Sequence, residues 1–217
     1  MKCSACEIYI EPTYMPCPQC KRRAGYTIIE DTSRCDDIYA LAFTLIHADQ
    51  VAKSSVIPFN VHAFIEKNWW AAATEGSLST REIEGLETIC AELGIDSLIA
   101  VLPGETAQRN LVDGENKVSL GLAFVETNAD ALRNFCWDFP SSFVLFPATM
   151  QFVICQYEHP AVLATGPKSV VERLFNLSIE AAVDQFKDDM QNSVSETFAA
   201  YLIESVIQPA NSSAASV

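Results

Sequence analysis

The sequence predicts an α+β protein, with a short cysteine-bearing head followed by a body built on a mainly antiparallel sheet and closed by a long C-terminal helical segment. Three observations predict it. Between Asp36 and Gly94 the apolar residues recur at helical spacing, and after Gly94 they form short runs punctuated by turn residues. From Ser178 to Ile207 a single apolar stripe returns to the helical period.

Taken in order, Ile38, Leu41, Ala42, Leu45 and Ala48 lie on one face of a helix over 36–53, with Ser33 and Asp36 placed to cap it. Val61, Phe64, Ile65, Trp69 and Ala72 predict a second helix, starting at Asn60 and stopping near Gly76. The third helix is the best marked, because Ser79-Thr80-Arg81-Glu82 has the reciprocal capping-box pattern and Gly94 is suited to end it. Its face is Ile83, Leu86, Cys90 and Leu93.

Strands are then expected at 98–102, at 109–112 and 117–125 around Asp113-Gly114, and at 143–146, 151–157 and 161–165. The last three read as an antiparallel meander. Ala129 to Trp137 is a short helix, and Gly166-Pro167 opens another with Val170, Val171, Leu174 and Phe175 inward. The C-terminal stripe is one helix, or two with a bend near Asn192-Ser193. Residues 1–26, 27–209 and 210–217 are thus read as head, acidic body and frayed tail.

An apolar fraction of 49% with 19% charged residues is that of a folded chain. Met1-Lys2 is followed by a cysteine pair and not by an apolar leader, which predicts a cytoplasmic protein. The uncharged stretch 139–157 is broken by prolines, serines and glutamines, so no membrane partner is expected. Net charge is unevenly placed. Lys2, Lys21, Arg22 and Arg23 against Glu7 and Glu11 give residues 1–26 a charge of +2, which from the total of −14 leaves −16 on the rest.

Cys3-Ser4-Ala5-Cys6 and Cys17-Pro18-Gln19-Cys20 are C-x2-C pairs separated by ten residues. Each pair can wrap two sulfurs around one ion, and the segment between is long enough to bring four thiolates into a tetrahedron. These residues resemble the short zinc-ribbon family, although Glu7 and Lys21 stand where members often carry glycine. The resemblance implies one structural zinc per chain on Cys3, Cys6, Cys17 and Cys20. Four sulfur ligands leave no position for water or substrate. The same thiolates would also suit iron, and disulfide or free cysteines are the alternative. Lys21-Arg22-Arg23 either offsets the metal centre's negative charge or contacts phosphate.

No familiar catalytic arrangement appears. His47, His62 and His159 lack a partner motif, and Thr165-Gly166-Pro167-Lys168-Ser169 fails as a phosphate loop because proline removes an amide donor. Asp36-Asp37 and Asp188-Asp189 read as solvated helix faces. Cys35, Cys90, Cys136 and Cys155 read as small buried side chains. The chain is therefore read as an enzyme only if its site is assembled from unmarked loop residues. Trp69-Trp70 cannot both centre one helical face, so either a broad buried face takes both or one is an exposed anchor for a partner.

The expected function is an intracellular interaction module that binds a basic protein through its acidic body. Residues Phe143-Val144-Leu145-Phe146-Pro147 through Tyr157, with Ala164-Thr165-Gly166-Pro167 and the helix after them, resemble the end of small bacterial immunity-type proteins that neutralise toxins. The alternative is a nucleic-acid-associated factor that touches phosphate through its basic head, against repulsion from the body.

Overall fold

The computed structural model describes residues 25–29, 32–47, 59–103, 109–113, 116–140, 142–157, 161–191 and 195–216. Cys3, Cys6, Cys17 and Cys20, expected to hold zinc, and Lys21-Arg22-Arg23 lie outside them, as does His159. Among the described residues, eight strands form a sheet in which every pairing is antiparallel. They are β1 (Tyr26–Ile28), β2 (Trp70–Glu75), β3 (Ser97–Pro103), β4 (Arg109–Asp113), β5 (Asn116–Glu126), β6 (Phe143–Phe146), β7 (Val153–Tyr157) and β8 (Ala161–Gly166). Seven follow the order β1-β5-β3-β6-β7-β8-β2, and β4 pairs with the first half of β5. The expected hairpin is present, its ladder running to Asp113 opposite Asn116, and so is the meander β6-β7-β8.

Strict alternation along the strands sends successive side chains to opposite faces, and both faces are buried. Ile99, Val101, Val144, Phe146, Val153, Cys155 and Leu163 point to one core; Leu98, Ala100, Leu102, Phe143, Leu145, Ile154 and Val162 point to the other. Helices cover each. On the first face lie α1 (Thr32–Leu45), α2 (Val61–Glu66) and the C-terminal helical run. On the second lie α3 (Thr80–Leu93), α4 (Ala129–Asp138) and α5 (Lys168–Phe175). α6 (Ile179–Met190) serves both. Its Ile179 and Ala182 enter the second core, whereas Phe186 and Met190 enter the first, because the helix passes alongside the edge strand β2.

The Trp69-Trp70 region departs from the helix expected there. α2 stops at Glu66, Asn68 takes a left-handed φ of 52°, and Trp69 N–H bonds back to Phe64 C=O. β2 then begins at Trp70. A strand places consecutive side chains on opposite faces, so each tryptophan finds its own core, which no single helical face could offer. α1 also starts four residues before the expected Asp36, with Ser33 inside it.

α3 carries the expected capping box and ends at Gly94 with φ of 67°. Ile83, Leu86 and Cys90 are buried as read, Ile89 completes the face, and Leu93 remains 39% exposed at the helix end. The C-terminal stripe is two helices: α6 closes at Met190 with Gln191 extended, and α7 (Glu196–Leu202) opens a second run. That run passes through a π-helical turn (Ile203–Ile207) into α8 (Gln208–Ala214).

The tail expected to fray is thus helical to Ala214. Pro209 lacks the N–H an α-helix would use, and the preceding turn widens so that Gln208 N–H reaches Ile203 C=O. Asn211 gives the segment its anchor. Its side-chain amide accepts from Ala71 N–H at 2.7 Å and donates to Ala71 C=O at 2.9 Å, satisfying both backbone groups that Ala71 turns to the open edge of β2.

Candidate binding cleft

α3 and α4 run antiparallel on the second face. Glu87 accepts from the amide of Ala129 at 3.1 Å, and one turn along Arg133 reaches Glu84 at 3.5 Å. The start of α3 therefore lies beside the end of α4, and between them opens a cleft of about 680 Å³. Leu78, Ile83, Cys136, Trp137 and Pro140 give it an apolar lining; Ser77, Thr80, Arg133 and Asp138 are its polar groups.

The rims of this cleft are fastened from below. Gln156, on β7 and only 1% exposed, accepts from Leu78 N–H at 3.2 Å and donates to Pro140 C=O at 3.1 Å. One buried amide thus ties the segment before α3 to the segment after α4. Glu82 secures the α3 rim to β2: its carboxylate accepts from Ser79 N–H at 2.6 Å and from the Thr74 hydroxyl at 3.2 Å. α4 is held down by aromatic packing. The ring of Tyr26 meets Phe135 and Phe139 edge-on, each at 5.6 Å, and its hydroxyl donates to Asp138. Gly25, with φ of 81°, permits this approach, since a Cβ there would lie 2.2 Å from that of Ala131.

Trp137 stands at this cleft and is 73% exposed, while the other apolar faces of α4 are buried. Leu132, Phe135 and Phe139 mark the inward face, and Trp137 falls on the opposite side. An aromatic residue on the polar side of an amphipathic helix was the sequence signal for it. The ionic groups are unequal in number. Arg133 is held by Asp130 at 2.6 Å and by Glu84 at 3.5 Å, and Asp138 adds a third carboxylate. The Cys136 thiol is pushed up to about 12 by burial, so it stays protonated at neutral pH and is not a thiolate nucleophile.

The other candidate residues are dispersed. Trp69 is 5% exposed within the first core, stacked near Phe64, and does not offer an anchor. Trp70 is half-buried, with the Lys168 ammonium 4.7 Å from its ring centre. That lysine also lies 3.8 Å from Glu172 and 3.9 Å from Glu180, and Pro167 caps α5, so the Thr165–Ser169 segment is a strand-to-helix turn. Asp36 and Asp37 are exposed on α1, Asp188 and Asp189 on α6, and His47 and His62 are exposed outside the cleft lining. Cys90 and Cys155 are buried free thiols, as expected. Among the described residues no group of three or more His, Cys, Asp or Glu is placed to hold a metal, and no helix is long and apolar enough to cross a membrane. No protein-family model, curated protein or solved structure matches the chain significantly.

Proposed function

We propose that this chain is a protein-interaction module whose acidic body docks a basic protein partner at the α3–α4 cleft, with a zinc ribbon on Cys3, Cys6, Cys17 and Cys20 as its N-terminal head. The observation that carries the reading is Trp137, exposed beside a cleft whose rims are fixed in advance by buried Gln156 and Glu82. Exposed aromatic residues at rigid concave sites are the usual centres of binding energy, because little order has to be created on docking. The lining offers no histidine and a protonated cysteine, which favours recognition over nucleophilic catalysis.

The net −16 outside the head selects the sign of the partner and accelerates encounter with it. The likeness to immunity-type proteins gives the proposal a specific form, in which the partner is a basic toxin held inactive. Affinity purification from native cells of the wild-type chain and of Trp137→Ala tests the reading. A basic protein recovered at about one per chain with the first and lost with the second is expected. Recovery of nucleic acid in place of a protein would turn the reading toward the alternative of a phosphate-contacting factor, and a protein partner indifferent to Trp137 would overturn the cleft as the docking site.

A further inference from the structure

Resting on that docking reading, we infer that the cleft is a receptor for an arginine side chain of the partner, the guanidinium lying on the Trp137 indole and pairing with Asp138. Charge is the first argument. Of the two ionic groups that line the cleft, Arg133 already has two carboxylates outside the lining, Asp130 at 2.6 Å and Glu84 at 3.5 Å, whereas among the described residues no cation is paired with Asp138. An occupant bearing one positive charge gives Asp138 its counter-ion; an acidic or neutral one does not.

Shape and chemistry narrow the cation. The face of an indole attracts cations through its ring quadrupole, and a planar guanidinium stacks there while its N–H fork meets a carboxylate. Trp137 and Asp138 both line the cleft at the end of α4, and the Tyr26 hydroxyl, donating to Asp138, fixes that carboxylate in place before any ligand arrives. Leu78, Ile83 and Pro140 provide the apolar floor along which the three methylenes of an arginine can lie. The molecule already uses a weaker version of this pairing at Trp70, where the Lys168 ammonium covers the ring at 4.7 Å. There the cation is supplied by the chain itself; at Trp137 it is left to the partner.

The test is a titration of the full chain with acetyl-Gly-Arg-Gly amide, its citrulline counterpart and acetyl-Gly-Leu-Gly amide. The chain has three tryptophans, so three indole N–H signals are expected by NMR, and Trp137→Phe assigns the relevant one. Arginine peptide should move the Trp137 signal in a saturable way with millimolar affinity, citrulline should bind at least about fivefold more weakly, and Asp138→Asn should remove the difference. If citrulline and arginine behave alike, or if the leucine peptide binds best, the cleft docks a partner but not through a cation, and this inference falls alone. If none of the three moves Trp137, both the inference and the docking reading fall.

Discussion

Gln156 is the residue on which the cleft most depends, because its one buried amide pairs with a backbone group on each rim, Leu78 N–H and Pro140 C=O. Replacing it by leucine keeps the volume but leaves Leu78 N–H and Pro140 C=O without their partner. The expected loss is about 1–3 kcal/mol of unfolding free energy by urea denaturation, the usual cost of an unsatisfied buried polar group. Trp137→Ala, by contrast, should change stability by no more than about 0.5 kcal/mol, since an exposed side chain away from the core contributes little.

Cys136 gives a third residue-scale expectation. Its folded thiol ionises near 12 and an unfolded one near 9.0, so iodoacetamide should modify it slowly at pH 8 in the native protein and rapidly in denaturant. The sign follows for stability: the unfolded chain releases this proton first, so the thiol's contribution is intact below about pH 9 and is lost as pH rises toward about 12.

Elements were legible in the sequence where a local rule governs them, and were misread where tertiary context did. The capping box and Gly94 define α3 from five residues, and the hairpin and meander followed from turn residues between apolar runs. The segment 69–75 misled because Ala71-Ala72-Ala73 and two tryptophans suit a helix locally, yet a chain running into an edge strand between two cores buries Trp69 in one and packs a half-buried Trp70 against the other. Residues 208–214 misled because Ser, Asn and Pro read as a tail, whereas Asn211 has a partner 140 residues away that no local pattern announces. Asn211→Ala should cost about 1–3 kcal/mol and leave the open edge of β2 unpaired. Increased self-association of this variant on mild heating, measured by light scattering, is the expected consequence of a freed edge. Unchanged stability would mean that α6 alone protects the strand.

At the scale of the whole molecule, the charge was plain in the composition but the cleft was not. It arises only when antiparallel packing brings the start of α3 beside the end of α4, and the expected anchors Trp69 and Trp70 were sought on a helix that ends at Glu66, before either of them. The head remains a proposal of its own. Metal analysis of purified protein should find about one zinc per chain, and Cys17→Ser should abolish it, because a tetrahedral thiolate site does not tolerate the loss of one ligand.

Docking of a basic partner at the Trp137 cleft leaves its signature in the kinetics of that complex. Association of the purified pair should slow markedly between low salt and about 0.15 M, where charges are screened beyond roughly 8 Å, with dissociation little changed. Trp137→Ala should do the reverse, raising the dissociation rate by about thirtyfold while leaving association nearly intact, as expected for removal of an anchor worth about 2 kcal/mol. A complex that forms at a salt-independent rate and dissociates equally slowly with and without the Trp137 side chain would contradict the account.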